Sequence, residues 1–282
     1  MPRRTLGLTS VLRHLLLLCG AAVAVTPFVW MVSASLMPHQ EIMLGGLRLV
    51  PEEFAVRQNY GRVIADVPIP RYLMNGLLVC TSIFVLQVLV AVPAAYALAK
   101  LSFRGRDFAL AAVLLGLMIP AHVPAIPVYV AFYKLGLINT YAALIVPHVA
   151  SVFGIFLLRQ FFRRIPDETL QAARLDGLSE LEIVWRIAVP FATPAIIAFG
   201  LFSFVVHWND LFWPLIVANR EDLAMPPLGI LMFYNEEQGS DYGAMMAASV
   251  LMTLPLAIAS IVLQRRFMEG ISLTAATKGG PQ

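Results

Sequence analysis

Charge is scarce in this chain of 282 residues. Asp, Glu, Lys and Arg make up 13% of it, against roughly 25% in a soluble domain. Set beside 59% hydrophobic residues, that deficit excludes an ordinary water-soluble domain and points to a chain solvated by lipid. Cysteine is almost missing. Cys19 and Cys80 both lie inside apolar runs, which excludes a disulfide framework or thiolate metal site and reads them as small buried apolar side chains. The five histidines, at 14, 39, 122, 148 and 207, lack metal-ligand spacing, so no metal site is expected and each reads as interfacial or hydrogen-bonded. The net charge of +3 is not gathered on one stripe, so no nucleic-acid partner is expected. A G-x-x-x-x-G-K-[ST] phosphate loop is also lacking, so the chain carries no ATP-driven motor of its own. No repeat of fixed period stands out, and low complexity is confined to the short tail "TKGGPQ".

What the sequence does contain is long apolar runs. Six stretches free of acidic and basic residues cover 14–38, 72–99, 108–133, 135–158, 187–209 and 242–264. Each exceeds the roughly 20 residues that cross a hydrocarbon core. Backbone groups in lipid must bond within their own segment, so each run is expected to be one helix. The first run is too long for a signal-peptide core and is read as an uncleaved span. With both termini in the cytoplasm, fourteen of the Lys and Arg residues fall inside and six outside, the asymmetry that orients membrane helices. The turn at 134–136 leaves almost no loop, so the third and fourth spans are expected to form a hairpin.

The charged segment 159–186 falls on the cytoplasmic side and carries local helix signals. Pro166 and Asp167 mark a start, with Asp read as a cap. Gly177 marks a stop in the left-handed conformation. Ser179 and Glu182 form a capping box opening a second helix, which Pro190 and Pro194 carry into the fifth span. The segment therefore reads as two short helices joined at a glycine. Ala172 and Ala173 are expected to give one low-relief face for close approach of another body, with Leu175, Leu178, Leu181 and Ile183 adding apolar surface. A plain connector between spans is the blander reading.

This stretch resembles the EAA loop of permease subunits in binding-protein-dependent ABC importers. The family pattern is E-A-A, three residues, Gly, nine residues, Ile, one residue, Leu-Pro. Here it reads Gln171-Ala172-Ala173, Gly177, Ile187, Val189 and Pro190 at the same spacing. Gln171 stands in place of Glu, removing a charge while keeping hydrogen-bonding reach; Val189 stands in place of Leu. "YLMNGLLV", "MIPAHVPAIPVYV", "INTYAALIVPHVASVFGIFLLRQFFRRIP", "WNDLFWPLIVAN", "AASVLMTLPLAIASIVLQRRF" and "GISLTAATKG" are similar to the sugar-transporting, maltose-type branch. The resemblance implies an all-α polytopic membrane protein of the type I ABC importer permease fold, with six transmembrane helices. It implies a first span and outer loop over 1–71, a five-helix core over 72–266 with the coupling loop at 159–190, and a cytoplasmic tail over 267–282. It also implies a non-catalytic subunit of the bacterial inner membrane, working with a second permease, a cytoplasmic ATPase dimer that uses ATP and Mg, and an extracytoplasmic binding protein. The implied ATPase-coupling residues are Gln171, Ala172, Ala173, Asp176, Gly177, Leu178, Ile187 and Pro190.

Polar residues near or within the spans are candidates for the substrate path: Asn75, Gln87, Trp208, Asn209 and Asp210. Asn75 and Gln87 equally fit interhelical hydrogen bonding. Trp208 and Trp213 equally fit an interfacial aromatic belt, with Asn209 and Asp210 satisfying local backbone. The substrate expected is a sugar, oligosaccharide or related polyol. An ion-coupled secondary transporter is the alternative, but that class usually places ionisable residues deep in its spans, and the six runs hold no Asp, Glu, Lys or Arg, with Asp210 just beyond the fifth.

Overall fold

A computed structural model of the chain describes residues 8–44, 48–234 and 239–276, and every regular element among them is helical. The first apolar run forms α1 (Leu8–Ser35), followed by the short α2 (His39–Leu44) and α3 (Val56–Asp66). The second forms α4 (Ile69–Lys100), whose 32 residues extend about 48 Å at 1.5 Å per residue. That exceeds a hydrocarbon core of about 30 Å, so one end of α4 projects beyond it.

The third run does not form one helix. It splits into α5 (Arg106–Met118) and α6 (Ala125–Lys134). Pro120 and Pro124 bracket the break, removing two backbone donors where a continuous helix would need them. The fourth run is α7 (Tyr141–Ile145), a single 3-10 turn over Val146–His148 containing Pro147, and α8 (Val152–Phe162). Its two parts are bent by 42°. Thr140 and Ser151 cap the two helix starts by accepting from the amides of Ala143 and Gly154. The charged segment forms α9 (Asp167–Leu175) and α10 (Glu180–Ile183), then a π-helical turn over Val184–Ala188.

From there α11 (Val189–Phe191) turns into α12 (Thr193–Trp208), an elbow of 80° between Glu180–Phe191 and Thr193–Trp208. Pro194 has no amide hydrogen to give the Pro190 carbonyl. The Thr193 hydroxyl donates to that carbonyl at 2.9 Å and to the Val189 carbonyl at 3.2 Å, so the sharp bend leaves them bonded. The chain closes with α13 (Phe212–Val217), α14 (Pro226–Leu231) and α15 (Tyr242–Ala276).

Six transmembrane helices were the expectation. Among the described residues three helices are long and apolar enough to span alone, Ser10–Ser35, Ile69–Lys100 and Tyr242–Ile261, and the two bent pairs raise the number to five. At 108–133 the apolar run is divided between α5, with 13 residues, and α6, with 10, each short of the roughly 20 needed to span alone.

The chain divides into two compact units. One comprises Met1–Ile69 and Leu228–Leu254. Buried Asn59 ties it together: its Nδ2 donates to the carbonyls of Ser35 and Met37 at 2.9 and 2.8 Å. Gly243 lies so close to this amide that a Cβ there would sit 2.6 Å from Asn59 Oδ1. Arg62 pairs with Asp241, and His39 stacks on Tyr242. Most of α1 is exposed along an apolar surface, including Leu12, Leu16, Val23 and Phe28. A helix apolar on all sides belongs in lipid.

The second unit, Pro70–Pro227 with Pro255–Gln282, holds two hydrophobic clusters. One gathers Ala91, Val92, Ala95 and Tyr96 of α4 with Leu158, Phe162, Ile165, Leu170, Ala173, Ile183, Val184, Ala188, Ala192 and Ala195. The other surrounds Val79, Cys80, Ile83, Trp208 and Trp213. Between α8 and α12, Gly154 admits the ring of buried Phe199: a Cβ there would lie 2.5 Å from Phe199 Cζ. Phe84 and Phe153 hold that ring from other directions, so it has little room to retreat. Gly154→Ala is expected to destabilise the bundle by about 1–3 kcal/mol, the usual cost of overpacking a filled core. Thermal unfolding of the detergent-purified protein measures it.

Candidate functional site

The segment 159–190 is folded onto the bundle by its own chemistry. At the end of α9 the Leu178 amide donates to the Ala173 carbonyl and the Gly177 amide to the Arg174 carbonyl, both at 3.1 Å. With Gly177 at φ +85°, this is the paired bonding of a Schellman stop. The Ser179–Glu182 capping box then opens α10 with both of its bonds made. Asp167 does not cap α9 as expected. The N-cap is Pro166, which makes no side-chain cap bond, and the Asp167 carboxylate instead pairs with Lys100 at 2.6 Å.

Two polar contacts from the far end of α4 reach this helical pair. Lys100 Nζ, its side chain only 8% exposed, donates to the Ile165 carbonyl at 2.6 Å as well as to Asp167. Tyr96 Oη donates to Glu180 Oε2 at 3.0 Å, and the Arg174 guanidinium donates to both Glu180 oxygens. The Lys100 ammonium holds the Asp167 carboxyl below the usual range, and Arg174, then Tyr96, does the same for Glu180 against the opposing effect of burial. Because both folded-state values are depressed, these contacts stabilise above the unfolded values of about 3.9 and 4.3 and are lost as pH falls through the folded ones.

The sequence-predicted residues of this segment divide between two faces. Ala173 is buried in the cluster, Leu178 and Ile187 pack partly against it, and Ile183 is fully buried. Gln171, Ala172, Asp176, Gly177 and Pro190 are exposed. The two alanines therefore do not share one docking face, because neighbours on a helix point about 100° apart. The outward face is Glu168, Gln171, Ala172 and Leu175, the i, i+3, i+4, i+7 set of a single stripe. Leu175 is 89% exposed and Leu181 61%. The readable sign of this division was Leu170 and Ala173, three apart on one inner edge.

Asn75 and Gln87 both make buried hydrogen bonds between segments. Buried Asn75 donates to the carbonyls of Asp222 and Ala224, both at 2.9 Å, and accepts from the Tyr141 hydroxyl at 2.7 Å. Buried Gln87 donates to the His148 carbonyl at 2.8 Å and accepts from Ser203 at 2.7 Å. Trp208 and Trp213 are 2% and 6% exposed, so they are core residues and not an outward aromatic belt. Trp213 Nε1 donates to the Ala143 carbonyl at 2.8 Å. Asn209 donates to the Val205 carbonyl at 2.8 Å, and Asp210 accepts from the Trp213 amide at 3.3 Å.

Asn209 and Asp210 also line a cavity of about 480 Å³ with His122, His148, His207, Phe212 and Trp213, within the size range of small-molecule sites. His148 and His207 meet edge to face at 4.7 Å, and His122 meets Phe212 at 4.5 Å. Sequence reasoning left these histidines apart because they come from three separate segments. The available sign was their setting: His122 lies between Pro120 and Pro124 and His148 follows Pro147, so both sit at helix breaks, where a side chain is presented from an irregular backbone. Among the described residues no cluster of ligating side chains fits a metal ion.

With this geometry in view, the model of the family described as "Binding-protein-dependent transport system inner membrane component" matches residues 87–272. The arabinooligosaccharides transport system permease protein AraQ of Halalkalibacterium halodurans is 30% identical over 97% of this chain and 98% of its own. The sn-glycerol-3-phosphate transport system permease protein UgpE of Brucella abortus is 28% identical over 93% of this chain and 96% of its own. A solved bacterial ABC transporter involved in the import of the acidic polysaccharide alginate is similar at 25% identity, with a TM-score of 0.77 over 94% of this chain and 98% of that one.

Proposed function

The chain belongs to the family of binding-protein-dependent transport system inner membrane components, and on that premise we propose that it lines the import path for a sugar, oligosaccharide or related polyol. As a permease subunit of an ABC importer it is not itself an enzyme. ATP and Mg are used by a cytoplasmic ATPase dimer docked on α9–α10, with Gln171, Ala172, Asp176 and Leu175 at the contact. Gly177 and Pro190, also exposed, belong to the same contact, while Ala173, Leu178 and Ile187 support it from behind. A second, similar permease completes the path, an extracytoplasmic binding protein delivers substrate, and both termini lie in the cytoplasm. The five-helix core over 72–266 forms this chain's half, with the first span as an accessory.

The observation that carries this reading is the α9–α10 pair: its inner face is part of the hydrophobic core while its outer face ends in a leucine left 89% exposed. A plain connector has no use for an ordered, outward apolar contact anchored from behind. The decisive experiment reconstitutes the chain with its second permease, ATPase and binding protein in vesicles and measures sugar uptake. Uptake that requires ATP and survives an uncoupler is expected. Uptake that persists without ATP and stops with an uncoupler would instead establish the ion-coupled alternative.

The α4 contacts carry force from the docked ATPase into a spanning helix. Lys100→Met and Tyr96→Phe are therefore expected to leave the ATPase bound but lower uptake per ATP hydrolysed, more so together than singly. For Tyr96→Phe the lost hydrogen bond costs about 1 kcal/mol. Parallel assays of hydrolysis and uptake in the same vesicles test this, and an unchanged ratio in the double variant refutes it.

A further inference from the structure

The relatives leave one property of the substrate open. An arabino-oligosaccharide is neutral, whereas glycerol phosphate and alginate are anions, and the family spans both. The cavity at the end of α12, lined by the path candidates Asn209 and Asp210, speaks to this point; its role here rests on the proposed reading of the chain as half of an import path. Asp210 is the one acidic residue among its described lining residues, and neither lysine nor arginine lines it. Sites that hold carboxylates or phosphates ordinarily supply arginine, lysine or free backbone amides. The Trp213 amide at its wall already donates to Asp210 Oδ1 at 3.3 Å.

The other polar atoms suit hydroxyl groups. A carbonyl only accepts, so His207 Nδ1 donates to the Ser203 carbonyl at 2.8 Å and leaves Nε2 as an acceptor. The Asp210 carboxylate accepts as well. Hydroxyls satisfy such acceptors by donating, which a phosphate dianion or a carboxylate group cannot do. Phe212 and Trp213 add apolar ring surface to the lining, of the kind that suits the C–H side of a sugar. An anion would bring a second negative charge beside Asp210 in a partly dehydrated space, where repulsion is poorly screened.

We propose that this cavity is a charge filter that admits neutral polyhydroxylated substrates and rejects acidic or phosphorylated ones, with Asp210 as its specificity-determining residue. Asp210→Asn isolates the charge, because asparagine keeps the side-chain oxygen that accepts from the Trp213 amide. The test uses the complete permease–ATPase complex in nanodiscs without binding protein, so that selection by that protein does not enter. Tryptophan fluorescence is titrated with arabinobiose and maltose, and separately with sn-glycerol 3-phosphate and digalacturonate, at about pH 8, above the ordinary imidazole range. The neutral sugars are expected to bind at least about tenfold more tightly than the anions, and Asp210→Asn to narrow that gap to about threefold or less by improving the anions. Anions binding as tightly as the sugars, a ratio unmoved by Asp210→Asn, or no response to any probe would each overturn the filter. Uptake by the reconstituted importer reports separately on whether the chain is an ATP-driven permease, so the filter can fail while that reading stands.

Discussion

Gly177→Pro is expected to abolish co-purification of the ATPase while the chain still inserts into the membrane. Gly177 stands at φ +85°, and proline is held near −65°. The substitution also removes the amide that donates to the Arg174 carbonyl, and the turn carrying the Leu178 bond to Ala173 cannot close around it. Both halves of the Schellman stop are lost, so α9 and α10 no longer meet at their present angle and Leu175 and Leu181 are no longer presented together. Gly177→Ala is the graded control. No neighbouring atom lies within 4 Å of the position a Cβ would take, so alanine meets only the backbone cost of the left-handed conformation, about 1–2 kcal/mol, and retains partial binding. Pull-down from solubilised membranes, with alkaline extraction to verify insertion, checks both. ATPase recovered at wild-type level with Gly177→Pro would refute docking at this turn.

The second large effect separates two adjacent alanines. Ala172→Trp is expected to block the ATPase while leaving the melting temperature of the isolated chain unchanged, because Ala172 is exposed and its new ring extends away from the core. Ala173→Trp is expected to lower both, since Ala173 is 6% exposed and packed in the cluster with Leu170 and Ile183. Forcing an indole into that space costs about 3 kcal/mol or more, the upper range for overpacking. Ala173, expected on the docking face beside Ala172, is buried instead, so its replacement probes folding. Gln171→Glu is expected to be tolerated, for Gln171 is exposed and a charge there disturbs no internal packing. Melting curves beside pull-downs distinguish all three variants, and Ala172→Trp with undiminished ATPase would remove the outer face of α9 from the contact.

Local chemistry was the most legible part of this molecule. Gly177 as a stop and Ser179 with Glu182 as a start were readable because each depends on bonds spanning only a few residues. The all-helical class followed from apolar length for a similarly simple reason. The continuity of the spans did not. Pro120 and Pro124 cut one run, and Pro190 and Pro194 bend another by 80°, but how far a proline bends a helix depends on who rescues the carbonyls it orphans. Here that rescuer is the Thr193 hydroxyl, a detail outside any count of apolar residues. Asp167 illustrates the same limit, since it carries a good capping signal and is drawn instead to Lys100, 67 positions earlier. The cavity was least legible, because His122, His148 and His207 meet only once three broken helices are folded. Asn75 and Gln87, attractive as lone polar residues in apolar runs, proved to be links between segments.

The elbow at Thr193 also sets a mechanical ratio. Its two arms meet at 80°, close to a right angle, so a push along the α10–α11 arm arrives nearly broadside on α12. The 16 residues of α12 make a lever of about 24 Å, and a rotation of about 5° at its base carries the Trp208 end through about 2 Å. That travel is comparable to the radius of a water molecule, and it falls where Asn209 and Asp210 face the cavity. On the coupling proposed above, a small stroke at α9–α10 would move the cavity wall by about the distance over which a hydrogen bond is made or broken.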